Sequence, residues 1–140
     1  MAYREKLAAV YFIAMALPYS VYFTLVATRP PEPRLIDMLW LFGGAAIVHA
    51  VLAGLGTLVV RIQSGAEGRA QPDERDRAIN RRGASIAYLV LMTGAVIAGV
   101  MMPFSAPPAK IVNAALFAIV IAELVNNGVV LMSYRRGWHG

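Results

Sequence analysis

The chain has 140 residues, of which 59% are hydrophobic and only 15% are charged, and its net charge is +5. Soluble domains carry about 25% charged residues, so this composition excludes an ordinary soluble domain and favours a single domain in a membrane. The absence of cysteine excludes disulfides, thiolate metal sites and cysteine nucleophiles. The positive charge does not indicate nucleic-acid binding, because the basic residues lie at the ends of apolar runs.

Apolar segments long enough to span a bilayer occur four times in the chain. A hydrocarbon core of about 30 Å requires roughly 20 apolar residues in a helix. The segments cover approximately residues 7–28, 35–60, 84–103 and 111–134. The connections 29–34 and 103–110 are rich in proline and predict tight turns. We therefore predict an all-α integral membrane bundle of four transmembrane helices, with two helical hairpins joined by the loop 61–83.

The distribution of basic residues predicts the orientation of the chain. Ten lie on the side of the termini and the long loop, and three lie on the other side. Because lysine and arginine accumulate on the cytoplasmic side, we expect both termini in the cytoplasm and a multi-pass location in the cell inner membrane. The ten are Arg4, Lys6, Arg61, Arg69, Arg75, Arg77, Arg81, Arg82, Arg135 and Arg136, and the three are Arg29, Arg34 and Lys110.

The second part of the long loop has the pattern of a helix start. Pro72 is followed by two acids, which the positive end of a helix dipole favours, and Arg77 is spaced to pair with either acid. We predict a helical stub from about residue 73 that continues into the third span. The stub either binds a partner or anionic lipid, or is a solvated extension that only enforces the topology. Its candidate docking residues are Asp73, Glu74, Arg75, Asp76, Arg77, Arg81 and Arg82.

The segment DERDRAINRRGASIAYLVL (73–91) resembles a signature that precedes the third span in a family of small prokaryotic four-span membrane proteins of unknown function. The resemblance implies the same topology. It implies no activity, because none is established for that family. The matching positions are Asp73, Glu74, Arg75, Asp76, Ile79, Ala84, Ser85 and Tyr88.

Two ionisable residues, His49 and Glu123, lie near the middle of predicted spans. A charge at the bilayer centre costs roughly 2.5–3.5 kcal/mol on insertion scales, so each requires a reason. Both residues follow the start of their spans by similar distances, which predicts similar depths. We expect Glu123 to face the bundle interior close to His49. Such a pair is either a structural link between helices or part of a proton relay.

Further polar and small residues mark faces of these helices. Asn126 and Asn127 follow Glu123 by about one turn, so the three residues predict a polar stripe that points into the bundle. Small residues recur at positions 46, 50 and 54 and at positions 95 and 99. These two small-residue faces allow close helix packing, either within the chain or in a homodimer.

No sequence motif for catalysis is recognisable. The chain has no zinc-protease motif, no phosphate-binding glycine loop and no Ser/His/Asp set, and its two histidines are too few for a metal or haem site. We therefore expect no enzyme, no cofactor and no metal. The leading hypothesis is a non-catalytic accessory or regulatory subunit that binds a membrane or cytoplasmic protein. The alternative is an oligomeric transporter or channel, with a proton- or cation-linked path through Glu123, His49 and Asn127.

Overall fold

The computed structural model describes residues 3–28, 34–65 and 71–137, and every regular element among them is helical. The predicted all-α fold is therefore confirmed, because this part of the chain contains four helices long and apolar enough to span a membrane. The helices are α1 (Tyr3–Thr28), α2 (Leu35–Ser64), α3 (Glu74–Val96) and α4 (Pro108–Arg135). We call the end of the bundle that carries Tyr3, Ser64, Glu74 and Arg135 the basic end, and the opposite end the hairpin end.

Helix α3 begins with a capping box outside the apolar run. The Asp76 backbone N–H donates to Asp73 Oδ1 at 2.7 Å, and the Asp73 backbone N–H donates to Asp76 Oδ2 at 3.2 Å. These reciprocal bonds satisfy backbone donors that a helix start otherwise leaves unpaired. The helix begins one residue after the expected position and continues without a break into the apolar run.

Helices α1 and α2 extend beyond their apolar runs at the basic end. Helix α1 begins at Tyr3, four residues before the expected start, and α2 ends at Ser64, four residues after the expected end. Gly65 follows α2 with a φ of +49°, a conformation that glycine adopts without steric cost. Hydropathy predicts only the part of a helix inside the hydrocarbon, so it underestimates helices that continue into the headgroup layer.

The four helices lie in the order α2–α1–α4–α3. Helix α1 packs along α2 on one side and along α4 on the other, and α3 packs mainly along α4. The hairpins α1/α2 and α3/α4 therefore form as expected, and they join through α1 and α4. Contact between α2 and α4 is limited, and α2 and α3 do not form a packed pair. Helices α1 and α4 are accordingly more buried than the two outer helices.

Small residues allow close approach at positions other than those expected. A Cβ added at Gly94 of α3 would lie 2.3 Å from Ala118 Cβ of α4, and one added at Gly56 of α2 would lie 2.5 Å from a Val10 methyl of α1. By contrast, a Cβ at Gly54 or Gly99 would meet nothing within 4 Å. Of the two alternatives for the small-residue faces, packing within the chain is thus not made at Gly54 or Gly99 in the described part of the chain. The close contacts are instead made about half a turn away, at Gly56 of α2, and between one and two turns away, at Gly94 of α3.

An aromatic cluster joins α1, α2 and α4 toward the hairpin end. The ring of Tyr22 on α1 is 1% exposed and packs edge-on against Phe23 and against Phe42 of α2. Its hydroxyl donates to Asn113 Oδ1 of α4 at 2.9 Å. A buried tyrosine needs such a partner for its polar end, so this bond connects the two central helices at a defined register.

We predict that Gly94→Ala destabilises the protein, because the added Cβ cannot fit against Ala118. Overpacking of this kind costs about 1–3 kcal/mol. The free energy of unfolding in mixed micelles should fall by that amount. Gly44→Ala is the matched control, since a Cβ at Gly44 meets nothing within 4 Å, and it should not reduce stability. Ala118→Gly should restore stability to Gly94→Ala. Equal effects of the two glycine substitutions would contradict the close α3–α4 contact.

Candidate functional site

The carboxylate of Asp76 lies at the junction of three helices at the basic end. Arg4 of α1 forms an ion pair with it, with Nε 2.5 Å from Oδ2, and the Tyr134 hydroxyl of α4 donates to Oδ1 at 2.6 Å. Only 13% of the Asp76 side chain is exposed. We call Asp76, Arg4 and Tyr134 the Asp76 cluster.

Apolar packing directly below the cluster holds the same three helices together. Ile79 of α3 is completely buried and packs with Ala8 of α1 and Val130 of α4. In the Asp76 cluster above this packing, each hydrogen bond to the charged carboxylate contributes about 1.5–3 kcal/mol, so loss of one member weakens the attachment of the others. The first turns of α3 are thus fixed by polar contacts at the end and by apolar contacts one turn further along.

This arrangement divides the predicted docking residues into three groups. Asp76 is occupied within its cluster, and Asp73 caps the helix instead of pairing with Arg77 as expected. Glu74, Arg77 and Arg81 are exposed and share one face of α3, because they are spaced by three and four residues. We call these three residues the outer face. Arg75 and Arg82, the remaining members, both interact with other groups.

The predicted burial of Glu123 beside His49 is wrong. Glu123 is exposed, and within residues 3–28, 34–65 and 71–137 its carboxylate has no hydrogen bond or ion pair. His49 is partly buried, and its ring packs edge-on against Tyr19 of α1 with centroids 5.6 Å apart. The reason is the helix order: α1 packs between α2 and α4, so His49 meets a residue of α1.

Asn126 and Asn127 line a recess of about 240 Å³ that opens at the basic end between α1, α3 and α4. Arg4 and Tyr134 of the Asp76 cluster also line it. The Asn127 side-chain amide donates to the backbone carbonyl of Glu123 at 2.9 Å. Glu123 therefore lies one turn beyond the recess on the same side of α4. The sequence did not reveal two further polar residues of the recess, Tyr11 of α1 and Asn80 of α3. Neither has a spacing signal that connects it to α4.

The recess is lined by several hydrogen-bonding side chains. Its amides and hydroxyls can bind water or a small polar molecule. Within the described part of the chain, no group of three or more histidine, cysteine or acidic residues could hold a metal ion.

A larger cavity of about 510 Å³ lies at the hairpin end between α1, α2 and α4. Its walls are mainly apolar, and the polar exceptions are Lys110 and Asn113. It does not bring together any of the polar residues predicted from the sequence.

Comparison with known proteins finds no match among protein families, curated proteins or solved structures. The resemblance of segment 73–91 to a four-span family therefore stays a prediction.

We predict that Asp76→Asn lowers the free energy of unfolding by about 1–3 kcal/mol, because it removes the mostly buried ion pair between Asp76 and Arg4. Tyr134→Phe removes one hydrogen bond and should have a smaller effect. Glu74→Gln is the control, since Glu74 is an exposed acid two residues away. Unfolding curves in mixed micelles measure all three variants. If Asp76→Asn were no worse than Glu74→Gln, the cluster would have no structural role.

Proposed function

We propose that this chain is a non-catalytic accessory or regulatory subunit of a membrane assembly, and that it binds a protein partner through the outer face of α3. The observation that carries the proposal is the Asp76 cluster, which fixes the start of α3 in one orientation. A helical segment of two to three turns is unstable alone in water. Here it is anchored on one side, and its opposite side presents charged groups.

The charges of the outer face indicate the chemistry of the partner. Arg77 and Arg81 lie one turn apart and are exposed, next to the single acid Glu74. Arginine pairs readily with carboxylates through bidentate hydrogen bonds. An acidic segment of a protein close to the membrane surface fits this face. Anionic lipid headgroups could also supply negative charge, and the experiment below distinguishes the two sources.

The orientation of the chain is part of the proposal. The excess of arginine and lysine near the termini and in the loop 61–83 supports a cytoplasmic location for the basic end. The four apolar helices support a multi-pass membrane protein. We infer that this membrane is the cell inner membrane, so that the partner presents its acidic segment from the cytoplasm or from its own juxtamembrane region.

A second candidate function is favoured by the polar recess. The recess at Asn126 and Asn127 lies one turn from the exposed Glu123, which is an arrangement suited to a proton- or cation-linked path. His49 lies apart from this recess, against Tyr19. A path would therefore need walls from another copy. Ion flux in proteoliposomes that Glu123→Gln abolishes would favour this function over the accessory one.

We predict that a photoreactive residue at Ser85, one turn beyond Arg81 on the same face, crosslinks to a discrete protein in cells. Arg81→Glu should reduce this product about fivefold, because it replaces an attractive charge pair by repulsion. Arg61→Glu, at an exposed arginine of α2 at the same end, should have no effect.

Arg77→Cys in the cysteine-free chain tests the orientation: an impermeant maleimide should label it only in inverted vesicles.

Two outcomes contradict the proposal. The first is a crosslinked protein that is insensitive to Arg81→Glu, since the outer face would then not determine binding. The second is crosslinking to lipid alone, which would assign the outer face to the membrane surface.

A further inference from the structure

Among the described residues, two complementary polar groups in the spans, the Glu123 carboxylate and the His49 ring, have no hydrogen-bond partner. The Glu123 carboxylate is exposed, and the ring nitrogens of the partly exposed His49 form no hydrogen bond within the described residues. Lipid chains at this depth offer neither donors nor acceptors, so both groups are costly as they stand. Each could satisfy the other: a carboxyl and an imidazole can share a proton as a neutral pair or as an ion pair.

Helix α1 provides a common scale for the depth of these two residues. Gly56 of α2 lies against Val10 of α1, and Gly128 of α4 lies against Phe12 of α1. Val10 and Phe12 are two residues apart, which corresponds to about 3 Å along the helix. Gly128 is therefore about 3 Å nearer to the hairpin end than Gly56.

On this scale His49 and Glu123 lie at similar depths, because each contact is made by a side chain that reaches several ångströms from its helix axis. His49 precedes Gly56 by seven residues, about 10.5 Å toward the hairpin end. Glu123 precedes Gly128 by five residues, about 7.5 Å in the same direction. The 3 Å offset between the glycines makes up the difference. The two groups thus match in depth and in chemistry, although no hydrogen bond joins them within one copy.

We propose that two copies of this chain associate side by side in the membrane, with Glu123 of each copy hydrogen-bonded to His49 of the other. A two-fold axis along the membrane normal preserves depth, so it places each histidine level with the other copy's glutamate and forms two identical pairs. The occupant is a second copy because the chain itself exposes both halves of the pair at one level.

The surface of α2 beside His49 permits this approach. Ala50 and Gly54 are exposed, and a Cβ at Gly54 would meet nothing within 4 Å, so the small-residue face is open. Small residues let a helix from another copy come close to the backbone. The proposal gives this face a partner. It does not depend on the outer face of α3, which lies at the basic end.

Complementation between variants tests the pairing. Labelled copies are reconstituted in liposomes, and dimers are measured by energy transfer between them. His49→Leu alone and Glu123→Leu alone should each associate roughly tenfold more weakly than the unaltered chain, since neither variant can form a pair with itself. Mixed with each other, they should associate more strongly than either variant alone but less strongly than the unaltered chain, because one of the two pairs can form between the retained Glu123 and the retained His49.

Controls keep the result interpretable. Thr93→Leu removes a different polar group from a span, and it should leave association unchanged because that hydroxyl donates to Leu89 O in its own helix. Circular dichroism verifies that the variants fold. The exchange of both residues, His49→Glu with Glu123→His, should also restore dimers. The proposal is overturned if the unaltered chain is monomeric, if His49→Leu alone associates normally, or if the mixture associates no better than either variant.

Discussion

The carboxylate of Asp76 joins the starts of α1 and α3 to the end of α4, and the arrangement of the basic end depends on this junction. The same residue completes the capping box with Asp73, so one side chain both begins α3 and attaches it to its neighbours. A second ion pair, between Arg135 and Glu5, also joins α4 to α1. It is longer, at 3.6 Å, and its arginine is 61% exposed, so it contributes less.

The central position of α1 and α4 determines what each polar residue can reach. Both helices pack on two sides, whereas α2 and α3 each have one main neighbour. His49 consequently meets α1, Asn126 lies against Gly83 of α3, and Glu123 stays exposed. This open order leaves the carboxylate of Glu123 exposed, and the proposed association with another copy starts from that exposure.

The sequence predicted the features that depend on local information. Span number follows from the length of apolar runs, and the start of α3 follows from Pro72 and the two acids after it, which the helix dipole favours. The lateral order of helices could not be predicted, because α2 carries apolar residues on all sides, including exposed ones such as Ile47 and Leu55. Without an apolar stripe, periodicity does not identify the packed face.

In the candidate site, too, the local features could be predicted from the sequence and the contacts between helices could not. The sequence identified Asn126 and Asn127 as a polar face, but it did not relate them to Tyr11 of α1. Asp76 was predicted to be a docking residue, but it is bonded within the bundle. The local pattern could not show this, because its partner Tyr134 lies 58 residues away in the chain. Gly94 and Gly99 are both glycines on neighbouring turns, so the sequence does not distinguish them. Only the structure shows that Gly94 packs against Ala118 of α4 and that Gly99 has no such contact.

The measurement that tests this account most directly is the distance between the start of α3 and the end of α2. Spin labels at Arg77→Cys and Gln63→Cys, diluted with unlabelled chain, report distances within one copy by pulsed electron resonance. The account predicts one narrow distance distribution, which broadens when Asp76→Asn is added and stays narrow with Glu74→Gln. A distribution that is equally narrow with Asp76→Asn, or already broad without it, would contradict the claim that Asp76 fixes the orientation of α3.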